Sequence, residues 1–198
     1  MDQAKKHDEK SRVVLSGAAK VFSEKGYHHA SMRDIAKVTG MSLAGMYHYF
    51  SGKEEILFSI QSFCFREVLD RLKERLEGVS DPHRQLEEVV RNHLEFFTQN
   101  VTEMRVLSHE ATSLDGSYRK HIDDMKREYY QIVSKVIDRL GDGSWSSEER
   151  RRTTLSVFGM INWIYTWYSP ERDGSPEELA RTMTGILEHG IAGQVGAR

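Results

Sequence analysis

An all-α fold is what this sequence predicts, on three observations. Apolar residues recur at three- and four-residue intervals along nearly the whole chain. Only three prolines, Pro82, Pro170 and Pro176, interrupt 198 residues, so long helices can run between them. Serine, aspartate and glycine fall where such helices would begin and end, and no stretch alternates as a strand does.

Each helix has its own justification. Val13, Val14, Ala18, Val21 and Phe22 mark the first, which Gly26 stops, with the first ten or so residues expected to fray. Ser31 caps the second, with Asp34 three residues on, and Gly40 ends it. Ser42 caps a short third helix from Leu43 to Tyr49, and a long fourth runs from Lys53 to about Gly78. Asp81-Pro82 opens the fifth, whose Leu86, Val89, Val90, Leu94 and Phe97 form one stripe. Residues 102–113 read as a short sixth helix. A long seventh carries Ile122 to Leu140 and stops at Gly141-Asp142-Gly143. Ser147 to about Ser169 and Ser175 to about Gly190 give the last two, separated by residues 170–174, and the last five residues are expected to fray. The total is about nine helices.

Composition narrows the function. One cysteine, Cys64, excludes an internal disulfide framework and multi-cysteine metal sites, and its place on the fourth helix's apolar stripe predicts a buried thiol. The nine histidines include no Glu-x-x-His or His-Glu-x-x-His, and there is no P-loop, nucleophile elbow or glycine-rich cofactor turn, so neither an enzyme nor a cofactor is expected. The polar start and the lack of an 18-residue apolar run predict a cytoplasmic protein without membrane attachment. Residues 1–53 carry nine Lys/Arg against five acids, the remainder 19 against 25. A basic head on an acidic body suits a polyanion at one end.

The run SMRDIAKVTGMSLAGMYHYF, residues 31–50, is the strongest signal. Ala36 lets a second helix cross closely, Gly40 permits the turn, and Met46 plugs the interface, the spacing of a helix-turn-helix. Phe50 is assigned inward. Tyr47, His48 and Tyr49 are too many polar-tipped rings for a small core to bury, and suit phosphates or base edges.

The segment from Ser31 to Lys53, ending MYHYFSGKEEIL, together with the FSEKGY end of the first helix, resembles the DNA-binding signature of the TetR family of transcriptional regulators. The resemblance implies a DNA-binding head (1–53) and a helical effector-binding and dimerisation body (54–198). It implies phosphate contacts at Ser31, Ser42, Tyr47, Tyr49 and Lys53, and a guanine contact for Arg33, for which the alternative is a phosphate or an intramolecular partner. Leu43 and Ala44, leading the third helix, would meet thymine methyls, with His48 beside them, leaving more to Arg33 and DNA shape.

The predicted eighth helix is apolar on nearly every side, which two copies paired in a dimer through the last two helices would cover. Its NWIYTWYSP ending, with SPEEL at 175–179, is similar to the branch of the family that answers acyl-coenzyme A esters. That resemblance implies an operator-binding homodimeric repressor released by an acyl-CoA. Phe97, Met104, Leu107, Met125, Tyr129 and Trp163 are candidates for its apolar tunnel, and Arg105, His109, Arg119 or Arg127 for its anionic end. The alternative is a cationic or aromatic drug among Glu103, Glu110, Tyr129 and Trp163.

Overall fold

The computed structural model describes the backbone of residues 2–141 and 144–193 and the side chains of 10–141 and 144–190. The expected stop at Asp142-Gly143 and the expected fraying of the last five residues lie outside the described residues. Ten α-helices and one 3-10 segment account for the architecture, with no strand among the described residues. No helix there is long and apolar enough to cross a membrane.

The chain divides into two compact units, residues 1–65 with 101–124, and residues 66–100 with 125–198. In the first, α1 (Asp2–Lys25), α2 (Met32–Thr39) and α3 (Leu43–Tyr49) pack with the start of α4 (Lys53–Leu76) and with α6 (Val101–His109). Its core holds Phe22, Ile35, Met46, Ile56, Leu57 and Met104, all essentially inaccessible to solvent. α1 is helical from Asp2 rather than from about residue 11, because its polar first turns contain neither glycine nor proline. Gly17 sets how closely α1 and α2 approach, since a Cβ there would lie 2.5 Å from Thr39 Cγ2. Thr39 cannot swing away easily: its Oγ1 donates to Ile35 O at 2.9 Å.

In the second unit α5 (Pro82–Gln99) is central, packed against α10 (Pro176–Gly193), α8 (Ser147–Asn162) and the 3-10 segment (Trp163–Thr166). Asp81 caps it, with Pro82 at its first position, and Leu86, Val89, Val90, Leu94 and Phe97 are buried as the stripe requires. α7 (Gly116–Leu140) gives this unit its later turns. Cys64 is buried, as its stripe position implied.

Two expectations are corrected. The eighth helix does not run to Ser169: it ends at Asn162 and tightens into the 3-10 segment. No glycine or proline causes this. β-Branched and aromatic side chains from Ile164 to Tyr168 lose rotamer freedom in a helix, and Thr166 Oγ1 donates to Trp163 O at 2.7 Å. Residues 170–173 are not a plain connection but a short helix, α9 (Pro170–Asp173), begun by proline at its first position. Thr154, Val157, Ile161 and Ile164 supply the buried side of this region, whereas Leu155 is 43% exposed.

Candidate nucleic-acid interface and effector site

The α2–turn–α3 unit is fixed by its caps. Ser31 Oγ accepts from Asp34 N at 3.2 Å, and Ser31 N and Oγ donate to Asp34 Oδ2 at 2.9 and 2.6 Å, a complete capping box. Hydrogen bonds from Lys25, then from Ser31, hold the Asp34 carboxyl far below the usual carboxylate range. Gly40 ends α2 at φ 67°, a left-handed conformation that favours glycine. Ser42 Oγ then accepts from Gly45 N at 3.0 Å to start α3. Met46 is fully buried and Phe50 nearly so, which fixes the inward side of α3.

The opposite side is open. Ala44, Tyr47 and His48 are three and four residues apart, so they share one face, and all three are exposed, Tyr47 to 52%. The His48 ring stands edge-on to Tyr49, centroids 5.4 Å apart. Ser42 is exposed and keeps its hydroxyl hydrogen for donation, while Leu43 and Tyr49 are half-buried. On α2, Arg33 and Lys37 are exposed one turn apart. Ser31 is exposed too, but its hydroxyl hydrogen already goes to Asp34.

Lys53 is engaged otherwise than the sequence suggested. Its ammonium donates to the carbonyls of Tyr27, His28 and Ala30 at 2.9, 3.1 and 3.1 Å, which uses all three donors, and it lies 4.6 Å from the Tyr27 ring centroid. It ties the start of α4 to the α1–α2 turn. Glu110 holds the same turn through its N–H: Oε1 accepts from Tyr27 N at 3.0 Å, and Oε2 from Ser113 Oγ at 2.7 Å. Gln61 Nε2 adds a bond to the Glu110 carbonyl at 3.0 Å. Glu110 is therefore a buried structural acceptor, not the open carboxylate that a cationic drug would need.

The effector candidates divide between the units. Met104, Arg105 and Leu107 belong to the first: Met104 is core, while the exposed Arg105 edges an open groove of about 620 Å³ with Val13, Lys20 and Glu103. Arg119 is paired with Asp123 at 3.0 Å, and His109 and Arg127 are exposed. Phe97, Met125, Tyr129 and Trp163 belong to the second. Phe97 and Tyr129 are buried and Met125 half-buried, but Trp163 is 62% exposed, its ring 5.9 Å from that of Tyr165. It does not line an interior within its own unit.

Phe97 and Tyr129 meet around a residue that sequence reasoning passed over. His93 is 2% exposed, its ring stacked on Phe97 at 3.9 Å, with Nδ1 3.0 Å from the Tyr129 hydroxyl. Asn92 Nδ2 donates to Val68 O at 3.0 Å beside it. Burial pushes the His93 imidazole down to about 3, opposed by the Asn162 side chain as a hydrogen-bonding neighbour, so the ring is neutral at physiological pH. Burial likewise pushes the Tyr129 hydroxyl up, against the Asn92 amide. His93 Nε2 and Asn92 Oδ1 are buried without a hydrogen-bond partner. The signal was present in the sequence, because position 93 continues the stripe through Leu86, Val89, Val90 and Phe97.

Residues 14–60 match the family described as bacterial regulatory proteins, tetR family, and residues 79–191 match the tetracyclin repressor-like C-terminal domain. The fatty acid metabolism regulator protein of Bacillus subtilis is 23% identical, over 90% of this chain and 93% of its own. The regulator UidR of Escherichia coli is 27% identical over 92% and 89%. A TetR-family regulator from Bordetella parapertussis superposes with a TM-score of 0.87 at 27% identity, covering 92% of this chain and 95% of its own. AibR, solved in complex with isovaleryl coenzyme A and operator DNA, gives 0.79 at 27% identity, covering 90% and 97%. These relatives are regulators, not enzymes, and the chain belongs to the TetR family of transcriptional regulators.

Proposed function

We propose that the chain is a repressor that binds a palindromic operator as a homodimer and is released by a small acyl thioester. Residues 1–53 form its DNA-binding head, and 54–198 its effector-binding and dimerisation body. The observation that carries the reading is the open face of α3, where Ala44, Tyr47 and His48 stand exposed while Met46 and Phe50 are buried. An α-helix presenting such a face fits the major groove. Ser42, Tyr47 and Tyr49 serve phosphates, with Ser31 available only by giving up its bond to Asp34. Arg33 supplies a cationic fork, and Leu43 and Ala44 give apolar contact to thymine methyls.

Pairing through the end of the chain is supported by exposed apolar side chains there. Leu155, Trp163 and Trp167 are 43%, 62% and 40% exposed, and a Cβ added at Gly159 would meet nothing within 4 Å. A second copy would cover these surfaces, and two heads about 34–36 Å apart would enter successive major grooves. An effector that favours another spacing releases the duplex by its difference in affinity for the two states. The acyl thioester reading is supported by the likeness to AibR, solved with isovaleryl coenzyme A.

The test is selection of duplexes from the source chromosome, followed by anisotropy of the recovered site with increasing acyl-CoA. A symmetric site that is lost on adding a thioester is the expected result. Recovery of no duplex contradicts the DNA reading, and a site indifferent to every acyl-CoA contradicts the effector reading.

A further inference from the structure

Residues 25 to 53, from the end of α1 to the start of α4, carry four Lys/Arg and one acid. Two of the four cations are spent inside the fold. Lys25 Nζ pairs with Asp34 Oδ1 at 2.5 Å, which also offsets the segment's one carboxylate. Lys53 gives its three donors to the carbonyls of Tyr27, His28 and Ala30. Arg33 and Lys37 remain. Both are exposed on one side of α2, about 6 Å apart along its axis. Among the described residues neither has an ion pair or a hydrogen-bond partner. The uncommitted positive charge of the segment therefore stands on α2 and not at the start of α4.

In a helix-turn-helix the first helix crosses the phosphate backbone while the second enters the groove. Here α2 is the first and α3 the second, with Gly40 in the turn between them and Met46 buried beneath α3. A lysine is a point charge without a fork, so on the outer side of a crossing helix it suits a phosphate and carries no base preference. Lys37 stands in the last turn of α2. We infer that Lys37 is the cationic phosphate contact of the head, in the role that the start of α4 leaves unfilled. The inference rests on the DNA-binding reading and adds a residue to it. With Lys37 on the backbone, the Arg33 guanidinium, one turn nearer the start of α2, is left for a base edge. A lysine in a last turn also favours the helix dipole, but that contribution belongs to stability and not to the salt dependence of duplex binding.

The test is a salt titration of duplex binding by the full chain, read by anisotropy on a labelled duplex carrying the selected site and on one of scrambled sequence. Lys37→Gln should lower the slope of log K against log salt by about 0.9 for each head bound, on both duplexes alike. It should leave the affinity ratio between the selected site and its point variants unchanged, because losing a phosphate contact weakens all sequences equally. Lys37→Arg should keep the wild-type slope, and both variants should melt with the wild type. Lys20→Gln removes the same charge from the groove that α1 shares with Arg105, and should leave the slope alone. A wild-type slope in Lys37→Gln, with or without a lower melting temperature, overturns the inference and leaves the DNA-binding reading standing. An equal fall in Lys20→Gln does the same, since it would make the effect one of overall charge. A wild type that binds neither duplex overturns both.

Discussion

The α1–α2 turn and the cluster around His93 are both polar sites next to apolar cores, and they are completed to different degrees. At the turn, three carbonyls meet the three donors of Lys53, and the Tyr27 N–H meets Glu110. Around His93, Asn92 Nδ2 bonds Val68 O and the ring's Nδ1 meets the Tyr129 hydroxyl, but Asn92 Oδ1 and His93 Nε2 make no bond of ordinary length and angle. Of the buried side-chain atoms lacking a partner among the described residues, Ser62 Oγ lies in the first unit, and Arg91 Nε, Asn92 Oδ1, His93 Nε2 and Thr184 Oγ1 in the second. A satisfied network holds one geometry, whereas an unsatisfied one stores a cost that an incoming group can relieve. The head turn is fully bonded, and the cluster around His93 is less completely so.

The sharpest way to break this contrast is Lys53→Met. Losing a charged donor to three carbonyls should cost about 3 kcal/mol of stability, read from the urea midpoint. Duplex affinity should fall while the slope of log K against log salt stays unchanged; a slope reduced by about one would return Lys53 to a phosphate contact.

The body's side of the contrast is read by pH. The His93 imidazole titrates near 3 in the folded protein and near 6.5 unfolded, so its neutral burial favours folding above pH 6.5. That contribution falls as pH drops below 6.5, by roughly 1.4 kcal/mol per pH unit, and is exhausted near pH 3. Between pH 6.5 and 5 the wild type should therefore lose about 2 kcal/mol more than His93→Gln. Equal losses would mean that the ring is not buried neutral.

Gly17→Ala should cost about 1–2 kcal/mol, because the new Cβ meets Thr39 Cγ2, held by its hydroxyl bond. A neutral result would show that α1 and α2 can part without loss. Tyr47→Phe is the smallest change. It should leave the melting temperature alone, since the ring is exposed, and weaken duplex binding about fivefold through one lost hydrogen bond.

What the sequence made legible was local. Ser31 with Asp34, Gly40, Ser42, Met46 and Phe50 all lie within twenty residues of one another, and each does in the structure what its type and spacing require. What stayed hidden depends on distant partners. Lys53 reads as a cation at a helix start until its ammonium is found on carbonyls 23 to 26 residues away. Glu110 reads as an open acid until Tyr27, 83 residues earlier, proves to be its partner. The end of α8 was hidden for another reason. The run from Met160 to Tyr168 has a helix's apolar content and no breaker, so only the summed weak propensities of its β-branched and aromatic residues mark the change at Asn162.

The exposed side of α3 is where function and fold part, and photocrosslinking tests it most directly. A benzophenone side chain at position 47, irradiated with the selected duplex bound, should give a covalent protein–DNA product, and one at Phe63, exposed on α4, should give none. A product from position 63 with none from 47 would mean that the duplex lies elsewhere, and that the outer flank of α3 serves another purpose.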